Sequence, residues 1–258
     1  MTCGKVYLVG AGPGPPELLT LKAAELLRTC DVVVYDRLIQ EGTLALVGPG
    51  AERIYVGKAV GGQDVRQEEI HRLLVRKAQE GKMVVRLKGG DPFLFGRGGE
   101  EAEYLAEHGI PFEVVPGISS ALAAPLRAGI AVTHRDAASC VVIVTGHEAR
   151  GEPGRLDWRA LSAIETLVFV MGVQNVRRIA ARLMESGRSP QTPAAMIQTA
   201  YWREERVVTA TLATIADEVE RAGLKPPATL VIGEVVRLRE KLDAARRALD
   251  RRPDDASR

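Results

Sequence analysis

Residues 5–36 read KVYLVGAGPGPPELLTLKAAELLRTCDVVVYD, and the order of elements in this stretch decides the fold. Residues 5–10 are a short apolar run ending on glycine, as a buried strand would be. A Gly/Pro loop follows, and residues 18–29 then place Leu18, Leu21, Ala24 and Leu27 at helical spacing. Residues 31–35 return to a continuous apolar run. Strand, glycine loop, helix, strand is how a parallel sheet with crossover helices begins. Further along, residues 53–56 read as a third strand, 67–80 as a helix and 83–87 as a fourth strand. Continuous β-branched runs alternating with helices predict a largely parallel sheet covered on both faces.

Past Pro116-Gly117, residues 119–128 read as a helix of small side chains, and 129–135 as a connection into new structure. Strand candidates recur at 140–145, 166–171, 194–198, 206–209 and 229–232, with helices near 176–185 and 215–221. The expected organisation is therefore α/β throughout. An N-terminal α/β domain spans 1–128, a C-terminal α/β domain 129–242, and a charged tail, expected to be disordered, 243–258. The Gly/Glu/Arg-rich stretch at 147–157 is expected to be a mobile, exposed loop.

Composition narrows the function classes. Thirty-five basic against 33 acidic residues leave a net charge of +2, without the basic excess of a nucleic-acid binder. Charges or glycines interrupt every hydrophobic run before membrane-spanning length, and the first residues lack the pattern of an export signal. Cys3, Cys30 and Cys140 are odd in number and far apart, which fits a reducing cytoplasm better than a disulfide framework. His71, His108, His134 and His147 lack metal-ligand spacing, so no metal is expected.

Two motifs carry chemistry. VGAGPGPP at 9–16 sits between the first strand and first helix, where dinucleotide folds hold phosphate. Counted from Gly10 and Gly12, the third glycine of GxGxxG falls on Pro15, which removes a donor N–H from the turn. Asp36 stands about where a ribose-binding acid would, but the failed fingerprint argues against a dehydrogenase. RLKGGDPFLFGRGGEE at 86–101 follows the fourth strand, and loops at that edge of an open α/β sheet host ligands. Gly89-Gly90 allows close backbone approach there, and Asp91 could bind an amine or hydroxyl.

Together with VVVYDRL at 32–38, VGK at 56–58, VVPGISSA at 114–121 and THRD at 133–136, these blocks resemble the uroporphyrinogen-III C-methyltransferases, within the tetrapyrrole methylases. The resemblance runs from about residue 6 to 242. It implies two α/β domains with S-adenosylmethionine bound in the cleft between them, and a homodimer acting on a tetrapyrrole without nucleic acid or membrane. It implies methylation of uroporphyrinogen III at C-2 and C-7, giving precorrin-2 through precorrin-1, with S-adenosylhomocysteine as by-product, for sirohaem or cobalamin. A later precorrin methyltransferase and a non-catalytic S-adenosylmethionine sensor are the alternatives.

Motif by motif, the resemblance places Pro13, Gly89, Gly90, Asp91, Leu94, Ser119, Ser120, Met171, Ala200 and Ala228 around S-adenosylmethionine. Two departures are visible: Pro15 stands where the family often has aspartate, and Ser119-Ser120 where threonine-alanine is common. Asp36 and Lys58 match the family's acid/base positions, with Arg97 and Glu100 as further catalytic candidates. Arg37, Arg97 and Arg135 are candidates for binding the eight carboxylates of the substrate, since guanidinium forks bind carboxylates bidentately.

Overall fold

The structure is a computed structural model that describes residues 3–57, 67–146 and 156–242. Its contacts divide the chain into two units, Met1–Ser119 and Ser120–Arg258. The first runs β1 (Lys5–Gly10), α1 (Leu21–Thr29), β2 (Val32–Tyr35), α2 (Glu41–Leu44), β3 (Glu52–Tyr55), α3 (Gln67–Gln79), β4 (Met83–Lys88), α4 (Gly98–Glu107) and β5 (Phe112–Val115). The second runs α5 (Ser120–Arg127), β6 (Val141–Thr145), α6 (Trp158–Ser162), β7 (Thr166–Val170), α7 (Val176–Glu185), β8 (Pro193–Gln198), β9 (Arg206–Thr211), α8 (Ile215–Arg221) and β10 (Ala228–Ile232). Lys58 and the tail at 243–258 lie outside the described residues, as does most of the loop at 147–157.

The five strands of the first unit pair in the order β3-β2-β4-β1-β5, all parallel. Both faces are covered, which is why β1 and β2 read as near-continuous apolar runs. On one face Val6, Leu8, Val34 and Val84 pack against Ile70 and Leu74 of α3 and Leu105 of α4. On the other, Val9, Val33, Val85 and Leu87 meet Ala23, Leu26 and Leu27 of α1.

Of the stripe expected on α1, Leu27 is buried and Leu21 is not. Leu21 is 91% exposed, and the buried positions are Ala23, Leu26, Leu27 and Cys30, the i, i+3, i+4, i+7 pattern. The helix starts late because Leu19 and Thr20 are extended, and the Thr20 hydroxyl accepts the Ala23 N–H at its N-terminus.

The second sheet has the order β6-β7-β10-β8-β9. Only β6 and β7 are parallel; β10 runs antiparallel to β7 and β8, and β8 to β9. Leu167, Phe169, Met196 and Leu230 form its core with Ile179 and Leu183 of α7 and Ile215 and Val219 of α8. Helix α5 packs on β7 and β10 and so belongs with this unit, whereas its sequence position suggested the first. Among the described residues no helix is long and apolar enough to cross a membrane.

Candidate active site

From β1 the chain crosses to β2 on one side of β4, and from β4 it crosses to β5 on the other side of β1. The C-terminal ends of β1 and β4 are therefore the switch point, where open α/β sheets bind ligands. The two glycine motifs leave the sheet here and are hydrogen-bonded to each other. The Gly12 N–H donates to the Gly90 carbonyl (3.1 Å) and the Gly90 N–H to the Gly12 carbonyl (2.8 Å). Both residues have left-handed φ, +69° and +68°, which glycine adopts without strain.

A third loop closes on the pair. A Cβ on Gly117 would sit 2.2 Å from the Gly90 carbonyl oxygen, and one on Gly10 would sit 2.6 Å from the Gly117 Cα. Asp91 ties the loops together: Oδ1 accepts from the Phe93 (2.8 Å) and Leu94 (3.2 Å) N–H groups, and Oδ2 from the Gly117 N–H (3.1 Å). An ionised carboxylate has about four acceptor positions. Three are occupied within the loops, so Asp91 is first a brace and retains one position and its charge for a ligand. Pro13, Gly89, Leu94 and Ser119 lie on these same loops and are partly buried.

Arg97 begins α4 with φ +58° and forms a fork with Glu100, Nε to Oε1 at 2.9 Å and Nη2 to Oε2 at 2.6 Å. The hydrogen-bonded carboxylate raises the Arg97 pKa, and the guanidinium lowers that of Glu100. Arg37 is exposed just after β2.

In the second unit, Ala228 opens β10 opposite Gln198 at the end of β8, and Thr229 pairs with Val170 at the end of β7. Met171 and Ala200 follow those two strand ends, so the three candidates share one sheet edge. Met171 is 51% exposed, more than packing in the core would allow. Glu205 braces the β8–β9 loop, accepting from the Tyr201 N–H (2.8 Å) and Arg127 Nε (2.9 Å). Ser120 starts α5, and Arg135 is exposed at the tip of a turn closed by the His134–Ala138 bridge.

Backbone strain gathers on these segments. Among the described residues, those other than glycine with positive φ are Phe95, Arg97, Met171, Thr199 and Tyr201. Two are themselves candidates, and the other three adjoin Leu94 or Ala200. Such conformations cost about 1–3 kcal/mol each and concentrate at functional sites.

Beneath the loops is a buried charged group that sequence reasoning missed. Arg86 and Lys88 on β4 and Glu101 on α4 are 3%, 4% and 0% exposed. Glu101 Oε1 accepts from Arg86 Nε (3.1 Å), Lys88 Nζ (3.0 Å) and Gln67 Nε2 (3.1 Å). Its Oε2 has no hydrogen-bond partner among the described residues. Burial, with the Arg86 charge beside it, pushes the Lys88 amine below its usual pKa. Arg86 also reaches the end of β2, pairing with Asp36 at 3.4 Å. The signal was in the sequence: two cations two residues apart interrupt the apolar strand MVVRLK, putting both on one covered face.

Residues 5–216 match the family model described as Tetrapyrrole (Corrin/Porphyrin) Methylases. The uroporphyrinogen-III C-methyltransferase of Bacillus subtilis (strain 168) is 50% identical over 241 residues, 93% of this chain and 94% of its own. The S-adenosyl-L-methionine-dependent uroporphyrinogen III methyltransferase of Methanosarcina barkeri (strain Fusaro / DSM 804) is 51% identical over 249 residues, 96% of this chain and 98% of its own. Among solved structures, the uroporphyrin-III C-methyl transferase from Thermus thermophilus complexed with S-adenyl homocysteine superposes with a TM-score of 0.79 at 48% identity. That match covers 91% of this chain and all of the other.

Proposed function

Because the chain belongs to the tetrapyrrole (corrin/porphyrin) methylase family, we propose that it methylates uroporphyrinogen III at C-2 and C-7. The reaction consumes two S-adenosylmethionines and releases precorrin-2, by way of precorrin-1, with two S-adenosylhomocysteines. The observation that carries this reading is half-identity, over nearly the whole of both chains, to relatives named for that reaction.

The residues present fit the cofactor. Gly10 and Gly117 let three loops approach more closely than a side chain at either position would permit, and the Asp91 carboxylate is hydrogen-bonded to two of those loops. On this reading Pro13, Gly89, Gly90, Asp91, Leu94, Ser119, Ser120, Met171, Ala200 and Ala228 hold S-adenosylmethionine. Asp91 would offer its charge to the ammonium group, and Leu94 and Met171 would offer apolar surface to adenine or thioether. The cofactor supplies an electrophilic methyl group.

The protein's task is then alignment, exclusion of water and removal of one proton for each methyl added. A pyrrole carbon that gains a methyl leaves the macrocycle one proton in excess, and a general base takes it. Asp36 is that base, with Lys58 as its acid/base partner. Arg37, Arg97 and Arg135 bind the carboxylates around the substrate's rim, Arg97 with its fork held by Glu100. An arginine keeps its proton, so binding is its role here. The enzyme acts as a homodimer in the cytoplasm.

The test is an anaerobic assay with enzymatically generated uroporphyrinogen III and methyl-labelled S-adenosylmethionine, read by product mass. Two methyls per macrocycle are expected. Binding of cofactor without transfer to uroporphyrinogen III would contradict the proposal.

A further inference from the structure

We infer that Arg86, held in place by Glu101, is the positioning residue for the Asp36 carboxylate; the inference rests on the reading of Asp36 as the general base. Arg86 lies on the β4 face that Val84 carries into the core with α3 and α4, where a leucine would continue the packing. Well-packed apolar residues in place of a buried ionic cluster are often as stabilising or more so. Stability alone therefore does not explain a guanidinium 3% exposed at this position.

Its geometry does. The fork is engaged in three directions. Nε donates to Glu101 at 3.1 Å, Nη1 to the Leu87 carbonyl at 3.2 Å and the Val34 carbonyl at 3.4 Å, and Nη2 points to Asp36 Oδ2 at 3.4 Å. The guanidinium plane is thus fixed relative to β2 two residues before Asp36. Among the described residues, the Asp36 carboxylate has one hydrogen bond besides that of Arg86, from the Leu38 N–H at 3.4 Å, and its side chain is 30% exposed. Arg86 therefore aims the carboxylate from below while leaving it open above. Lys88 shares Glu101 Oε1, so two cations stand against Glu101 and Asp36, and the four charges balance when Asp36 is ionised. Glu101 Oε2, without a hydrogen-bond partner among the described residues, is part of the cost of that arrangement.

The test is a double-mutant cycle in the full chain. Arg86→Gln, Asp36→Asn and the double variant are compared for kcat, KM for uroporphyrinogen III, S-adenosylhomocysteine affinity and Tm. Losing a correctly aimed base should lower kcat by about tenfold to a hundredfold in Arg86→Gln. KM and S-adenosylhomocysteine affinity should stay within about twofold. In the Asp36→Asn background the same change should alter kcat by less than about twofold, because coupled residues lose their effect together. Arg86→Lys, which keeps charge but not the fork, should restore less than half of the lost kcat. If Arg86→Gln does not fold, Glu101→Gln replaces it in the same cycle, with the same expectation. Losses that multiply in the double variant, or cofactor affinity falling in step with kcat, would overturn the inference while leaving the function intact. Absence of methyl transfer by the wild-type chain would overturn both.

Discussion

Asp91→Ala tests whether the binding edge is braced as described. The substitution removes three acceptor contacts, from the N–H groups of Phe93, Leu94 and Gly117 at 2.8, 3.2 and 3.1 Å. A hydrogen bond contributes about 1 kcal/mol net and more when one partner is charged, but water reaches this partly buried loop, so about 3 kcal/mol in total is expected. At roughly 2–4 °C per kcal/mol for a protein of this size, Tm falls by about 10 °C. The Gly117 contact matters most for function, since it joins the loop after β4 to the loop that leads to Ser119. Its loss should weaken S-adenosylhomocysteine binding at least about tenfold, or about 1.4 kcal/mol. Asp91→Asn keeps Oδ1 and the local turn but sets an amide against the Gly117 N–H, and should fall between wild type and Asp91→Ala on both scales. Thermal unfolding and titration calorimetry with S-adenosylhomocysteine measure the two effects. If Asp91→Ala retained wild-type Tm and affinity, neither the bracing nor the binding role would stand.

Arg135→Ala should leave S-adenosylhomocysteine affinity unchanged and raise KM for uroporphyrinogen III, because the side chain is exposed on a turn tip and is assigned to substrate carboxylates. Equal loss of cofactor affinity would place it elsewhere. Thiol titration of the native chain near pH ~8 should find Cys3 and Cys140 reactive, whereas Cys30, buried with its pKa pushed up to about 11, reacts only on unfolding. Lys22 and Lys5 hold the Glu113 carboxyl down at about 2 against an ordinary 4.5. Its stabilising effect is therefore complete above that ordinary value and is lost as pH falls towards 2. The stability gap between wild type and Glu113→Gln should accordingly be wider at about pH 7 than at about pH 3 in denaturant titrations.

Both the alternation of strands and helices and the two ligand motifs could be read from residue pattern, because a doubly covered parallel sheet leaves long apolar runs and the switch point leaves glycines. Other features left weaker traces. Helix α2 and strand β5 have four residues each, too few for a period to register. The sequence marked α/β structure in the second unit but not the direction of its strands, since side chains alternate identically in either sense. The connection lengths held a clue: β8 and β9 are separated by seven residues, too few for a parallel crossover. At the candidate site, the Arg97–Glu100 spacing was legible as a helical neighbour pair. The two cations within β4 were legible as well, but their pairing with Glu101 was not, because it depends on α4 folding back over β4. Likewise, nothing in the residue types of Met171, Thr199 or Tyr201 announces a left-handed backbone, which glycine or asparagine would normally supply.

The position of the transferred methyls tests the proposed reaction most directly. Uroporphyrinogen III incubated anaerobically with the purified chain and carbon-13 methyl S-adenosylmethionine should give a product whose NMR spectrum carries two labelled methyls, one at C-2 and one at C-7. Label at any other carbon, or none, would contradict the proposed reaction.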